Sequence, residues 1–289
     1  MKRKGKRTST GLWILAVAAL ALAAGYFLGK EPASEDRKPP VGREAPPPPK
    51  GLGSKVEAQI PARGDGVLQE QAGDARGEGQ AECGRVQEEV RDFFRYLDEK
   101  PYVQHIEEGL DSYAWFKRIL KKLSAHLPTP AGEGLDNALL ASNAFHFFRH
   151  LEAREIRLIL EILLNEASTL EANLDLFFRW LTLGGRCPDP ERVRPSSGIL
   201  YSYAGFFMNT LGGQSYLYRR PGTVRVLASY YCLLILHEAD KKGRNRHGID
   251  LAPRVKALAE EMSLHGELQF QKQYSRRLSE LQALYPIRR

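Results

Sequence analysis

Cysteine is scarce in this 289-residue chain: Cys83, Cys187 and Cys232 are the only three, too few for a disulfide-stapled scaffold. They do not cluster at zinc spacing, and no Gly-rich phosphate loop or GxSxG nucleophile elbow occurs, so the usual carriers of nucleotide, hydrolase and zinc-ribbon chemistry are missing. Strand signals are almost absent as well. The best is Ser215 to Arg219, SYLYR, which follows Gly212-Gly213 and reads as a brief extended piece. Acidic residues are outnumbered 35 to 42, but 13 of the basic and 9 of the acidic residues fall in the first 80 positions. The remaining 209 residues therefore carry only +3, which argues against a nucleic-acid-covering body.

What is present divides the chain into four parts. Residues 1–10 are a basic tail with Lys2, Arg3, Lys4, Lys6 and Arg7. Residues 11–29, GLWILAVAALALAAGYFLG, are uncharged and as a helix would extend about 28 Å against roughly 30 Å of hydrocarbon. This is the pattern of a single transmembrane signal anchor, with Trp13 and Tyr26 near its two ends. The short basic tail before it places the N-terminus in the cytoplasm and the body outside, in the periplasm if the cell is Gram-negative. The alternative is secretion after cleavage near Ala23, because Ala21-Leu22-Ala23 has the small-x-small form. The apolar run continues past that point to Leu28, which favours the anchor.

Residues 30–80 hold almost no large apolar side chains, seven prolines between Pro32 and Pro49, and several glycines from Gly64 to Gly79. Such a segment cannot bury a core and is expected as a disordered linker, stiffened at Pro46 to Pro49. About 49 residues of coil reach roughly 35 to 45 Å, so the body would be free to search around its anchor.

Residues 81–289 change to apolar steps of three and four, the signature of helices. Val86, Val90, Phe93 and Leu97 form one stripe, and Ile106, Leu110, Tyr113, Leu120, Leu123 and Leu127 predict a second helix that runs to Pro128. A third is expected from Leu135 to Leu151. Ile156, Leu160, Leu163, Ala167, Leu170, Leu174, Phe177 and Leu181 trace a heptad seam, with a break expected near Ser168, where Glu171 completes a capping-box pattern. Further helices are predicted over Ile199 to Leu211, Val224 to Ala239, from Asp250, and Glu267 to Tyr285. The stretch Val226 to Leu236 is apolar nearly all round and too short to span a bilayer, so it should be the central buried helix. The expected fold is all-α: a helical bundle, or solenoid-like helical pairs, behind the anchor and linker.

Few residues suggest chemistry. His146 and His150 share a helix face at metal-ligand spacing, but Phe147 stands where a zincin motif has Glu, and packing is the simpler reading. His237, Glu238 and Asp240 end the central helix, where a carboxylate beside an imidazole can shift a pKa. Cys83 and Cys187 are the only pair not locked in apolar packing, so an oxidising compartment would permit a bridge, whereas Cys232 reads as core. The segment Tyr201 to Arg220 is rich in aromatics and ends in an Arg pair. Asn209, Gln214, Tyr216, Tyr218, Arg219 and Arg220 there could line a groove for an acidic peptide, a glycan or a partner helix.

The expected function is a membrane-tethered interaction or assembly module of the cell envelope, with a protein partner, no nucleic acid and no cofactor. The alternative is an anchored envelope hydrolase acting on cell-wall material through His237 with Glu238, or through a metal at His146 and His150.

Overall fold

The computed structural model describes residues 74–129, 137–183, 187, 189, 191 and 193–286. The expected anchor at 11–29, and nearly all of the expected linker, lie outside the described residues. Among those described there are twelve α-helices, one 3-10 turn and no strand, so the body is all-α. No helix among them is long and apolar enough to cross a membrane.

Helix α1 (Asp74–Asp98) begins inside the stretch read as linker and buries Val86, Val90, Phe94 and Leu97. It packs against α3 (Ser112–Ala125) and α7 (Leu170–Thr182). The predicted helix from Ile106 to Leu127 is not continuous. A short α2 (Pro101–Gln104) opens with Pro at its first turn, Gly109 turns the chain at φ +68°, and α3 starts afresh. The Asp111 carboxylate accepts from Ala114 N at 2.8 Å and caps this new helix. Asp98 accepts from Ser112 N at 2.8 Å, tying the new start back to the end of α1. Local cap chemistry overrides the apolar spacing here, and Leu127 is left exposed. The expected third helix is likewise two pieces, α4 (Asn137–Ala144) and α5 (His146–His150), parted at the exposed Phe145.

The heptad seam does break near Ser168: α6 (Ala153–Asn165) ends before a 3-10 turn at Ala167–Thr169, and α7 follows. Every seam residue but Ala167 is buried. No Ser168–Glu171 capping box forms, because the Glu171 carboxylate accepts instead from Gln269 N at 2.8 Å and Phe270 N at 3.0 Å, at the start of α12 (Gln271–Leu284). At the same junction the buried Glu166 accepts from Tyr102 Oη at 2.7 Å and Tyr96 Oη at 2.9 Å.

Helix α10 (Gly222–Lys241) is the centre, as its composition predicts, and every residue from Val226 to His237 is buried. It packs against α8 (Ser197–Asn209), which is buried throughout from Leu200 to Met208. Helix α11 (Ala252–Ser263) pairs with α12 on another side of α10.

The segment read as extended at Ser215 to Arg219 lies mostly in a helix, α9 (Leu211–Tyr218), with only Arg219 following it. Thr210 Oγ1 accepts from Gly213 N at 2.9 Å and caps it. The Gly pair marks no turn; it lets α9 lie directly on neighbouring backbone. A Cβ on Gly212 would come within 2.6 Å of Asn143 Cβ and 2.9 Å of Ala144 N. Close approach, which propensity does not report, decides this segment.

Candidate functional site

An open groove of about 1250 Å³ lies between α7, α8, α10 and α12. Its floor is apolar because it lies over the central helices: Leu181 comes from α7, Leu200 from α8, and Leu234 and Ile235 from α10. Tyr230, Tyr231 and Tyr274 add aromatic surface, with all three hydroxyls held in acid form by burial. The buried Tyr274 hydroxyl lies close to Tyr231 and Glu171 but completes a hydrogen bond of full geometry with neither. A second, apolar cavity under α3 and α6 is only about 30 Å³, room for one water and no ligand.

Charge around the groove is uneven. Seven Arg or Lys residues line it against four carboxylates. Four of the seven are neutralised: Arg179 by Asp175 and Glu89, Arg194 by Asp189, Lys242 by Glu238, and Arg277 by Glu280. Arg244, Arg246 and Arg276 meet no carboxylate among the described residues, and all three are exposed.

Arg244 and Arg246 stand at the first turn of α8. Arg244 Nη1 donates to Ser197 Oγ at 3.2 Å, and Arg246 packs beside Gly198 with its guanidinium 5.9 Å from the Tyr201 ring. Between them Asn245 is fixed on all sides. Its Oδ1 accepts from Tyr201 Oη at 2.8 Å and Ile249 N at 3.0 Å, while its Nδ2 donates to Asp240 at 2.9 Å and Ile249 O at 3.0 Å. A rigid turn therefore holds two cations at the positive end of a helix that has no acidic residue in its first turn.

His237 lines the same groove, but its partner is not the expected Glu238, which faces Lys242 at 3.4 Å. Tyr285 Oη donates to Asp240 at 2.9 Å, so His237 Nδ1–H is the donor to Tyr285 Oη at 3.0 Å. Burial holds this imidazole below its ordinary value, against a smaller opposing pull from Glu238. The arrangement fixes the ring in one tautomer and leaves Nε2 as an acceptor.

Of the six residues read as a groove, Tyr216 and Arg220 are buried, and none of the six borders the groove described above. Tyr216 is buried and donates to Ala144 O, and Gln214 donates to Met208 O at 3.1 Å. Asn209 accepts from Arg254, while Tyr218 and Arg219 face outward. Arg220 is interior, and burial, then Arg219, lowers its guanidinium to about 10. Of the segment from Tyr201 to Arg220, only Tyr201 itself reaches the groove. The residues that sequence reading missed, Arg244, Arg246, Arg276 and Tyr274, lie 24 or more positions beyond that segment. For Arg244 and Arg246 the R-N-R run after the central helix is the visible signal; Arg276 and Tyr274 carry none.

His146 and His150 are joined by His126 from the end of α3, whose ring stacks on His150 at 4.2 Å. No three His, Cys, Asp or Glu among the described residues are placed to hold a metal ion. His146 Nε2 instead donates to Tyr203 Oη at 2.8 Å, and that hydroxyl donates to the carbonyls of Leu123 and His126, both at 3.0 Å, closing the C-terminus of α3. Burial first, then His150, His126 and Arg149, lower His146 to about 3, and His150 is lowered in the same direction. The unfolded chain takes up these protons near pH 6.5 and the folded body resists them, so stability must fall as pH drops below about 6.5. For His146 the loss should be about 1.4 kcal/mol per pH unit until the folded group itself titrates. Urea unfolding from pH 7.5 downward, compared with His146→Gln, should show the variant losing less per unit; equal slopes would refute the assignment.

No family model matches the chain, and no curated protein or solved structure matches it.

Proposed function

We propose that the protein is a membrane-tethered interaction module of the cell envelope, its helical body receiving a protein partner in the groove between α7, α8, α10 and α12. The groove carries this reading: it is large, apolar at its floor, open at its rim and bordered by three cations that meet no carboxylate among the described residues. The pairing of Cys83 with Cys187, whose Cα atoms are 5.5 Å apart, suits an oxidising compartment outside the cytoplasm. The uncharged run at 11–29 supplies the tether, and the Pro- and Gly-rich residues that follow supply reach.

A photo-crosslinking residue at Gln273, exposed on the groove rim, should capture a discrete partner in intact cells, whereas one at the exposed Leu264 outside the groove should not. The full chain should also stay with membranes through a high-salt carbonate wash. The reading fails if both positions give the same products or none, or if the protein is released into the wash beginning just after Ala23.

A further inference from the structure

The groove's own surface specifies what sort of partner segment it takes. Three features converge there. The floor of Leu200, Leu234 and Ile235 offers apolar contact along a trough, not a point. The uncompensated cations sit on separate elements, Arg244 and Arg246 beside the start of α8 and Arg276 on α12. The nearly buried Tyr274 hydroxyl, at 4 % exposure, still lacks a full hydrogen bond beside that floor.

Arg244 and Arg246 lie between two helix ends, the C-terminus of α10 and the N-terminus of α8. On the α8 side they face the positive end of the macrodipole, where an anion is the favoured charge. Asn245 holds them there through four hydrogen bonds. An anion beside these guanidiniums at the first turn of α8 would meet both the cations and the positive end of the helix. A small inorganic anion would satisfy that end and leave the apolar trough and Arg276 uncovered. A neutral sugar polymer could stack on the groove's tyrosines but would leave the three arginines without a charge partner. An extended peptide alternating acidic and apolar side chains matches both the floor and the separated cations, because successive residues point to opposite sides.

We propose that the groove binds an extended acidic segment of a partner protein, with carboxylates at Arg244/Arg246 and at Arg276 and apolar side chains on the Leu200–Leu234–Ile235 floor. This rests on the interaction-module reading and deepens it. Arginine suits the role because its planar fork meets a carboxylate through two hydrogen bonds. Rim charges of this kind set selectivity and association rate, so binding should weaken with salt.

The test uses the full chain in lipid nanodiscs, with empty nanodiscs as blank, and a short fluorescent peptide of alternating Glu and Leu. Binding should be saturable, weaken about 10-fold or more in Arg244→Glu/Arg246→Glu, and weaken several-fold in Arg276→Glu. Because these side chains are exposed, the variants should remain folded and helical, which circular dichroism checks. Peptides with Lys for Glu, or Ser for Leu, should bind far more weakly. Equal binding of the Lys peptide, unchanged affinity in the folded reversal variants, or no binding at all overturns the acidic ligand. Equal binding of the Ser peptide, or displacement by inorganic polyphosphate at matched charge, reduces the site to general anion attraction and overturns it too. Crosslinks from Gln273 that persist after such a failure would leave the broader reading intact, whereas loss of both would remove both.

Discussion

Replacing Cys83 and Cys187 together by Ser should lower the unfolding free energy of the body by about 4 to 5 kcal/mol. The bridge joins α1 to the loop before α8 across 104 residues, so it removes a long loop's worth of freedom from the unfolded chain. Both cysteines are buried, and the loop they anchor is knitted further. Asp189 accepts from Val193 N at 3.1 Å and Arg194 N at 2.8 Å, while buried Arg194 donates to Cys187 O. Urea unfolding of the double variant against the oxidised parent measures the loss, and reductant should reproduce it in the parent alone. A difference below about 1 kcal/mol would show that the bridge contributes little. The cost should reach the groove as well, since Cys187 and Glu82, next to Cys83, both border it.

Gly213→Ala should destabilise by about 3 kcal/mol or more, although alanine favours an exposed helix over glycine by about 1 kcal/mol. The sign reverses because α9 lies on the end of α8 so closely that a Cβ at Gly213 would overlap the Phe206 carbonyl group and sit 3.0 Å from Phe207 Cα. These are backbone atoms in a fully buried segment and cannot swing aside as a side-chain end can. Gly84 in α1 is the matched control. It has nothing within 4 Å of its would-be Cβ, so Gly84→Ala should gain about 0.5 to 1 kcal/mol. If both alanines shift the melting temperature in the same direction, the close approach of α9 to α8 is wrong.

These two expectations mark different kinds of legibility. Cys83 and Cys187 could be picked out as the pair open to bridging by eliminating Cys232, whose place in an apolar run made it core. Nothing local in GGQSYLYRR showed that its glycines serve contact and not a turn. Aromatic content beside a Gly pair resembles a short strand until the neighbour that excludes a Cβ is known. The His237 environment divided in the same way. Its place at the end of the central helix was readable, but Tyr285, forty-eight residues on, displaced Glu238 as its partner.

What the sequence determined unaided was the one-dimensional part: an all-helical class for the body, the break in the heptad seam near Ser168, and burial from Val226 to Leu236. Apolar periodicity reports which side of a helix must leave water, and that demand holds whatever the neighbour is. Tertiary structure alone decided the groove. Leu181, Leu200, Leu234 and Tyr274 belong to four helices, and Arg244, Arg246 and Arg276 to a turn and to the last of these helices. Their meeting depends on how the helices pack and where a turn is pinned, which no spacing along the chain records.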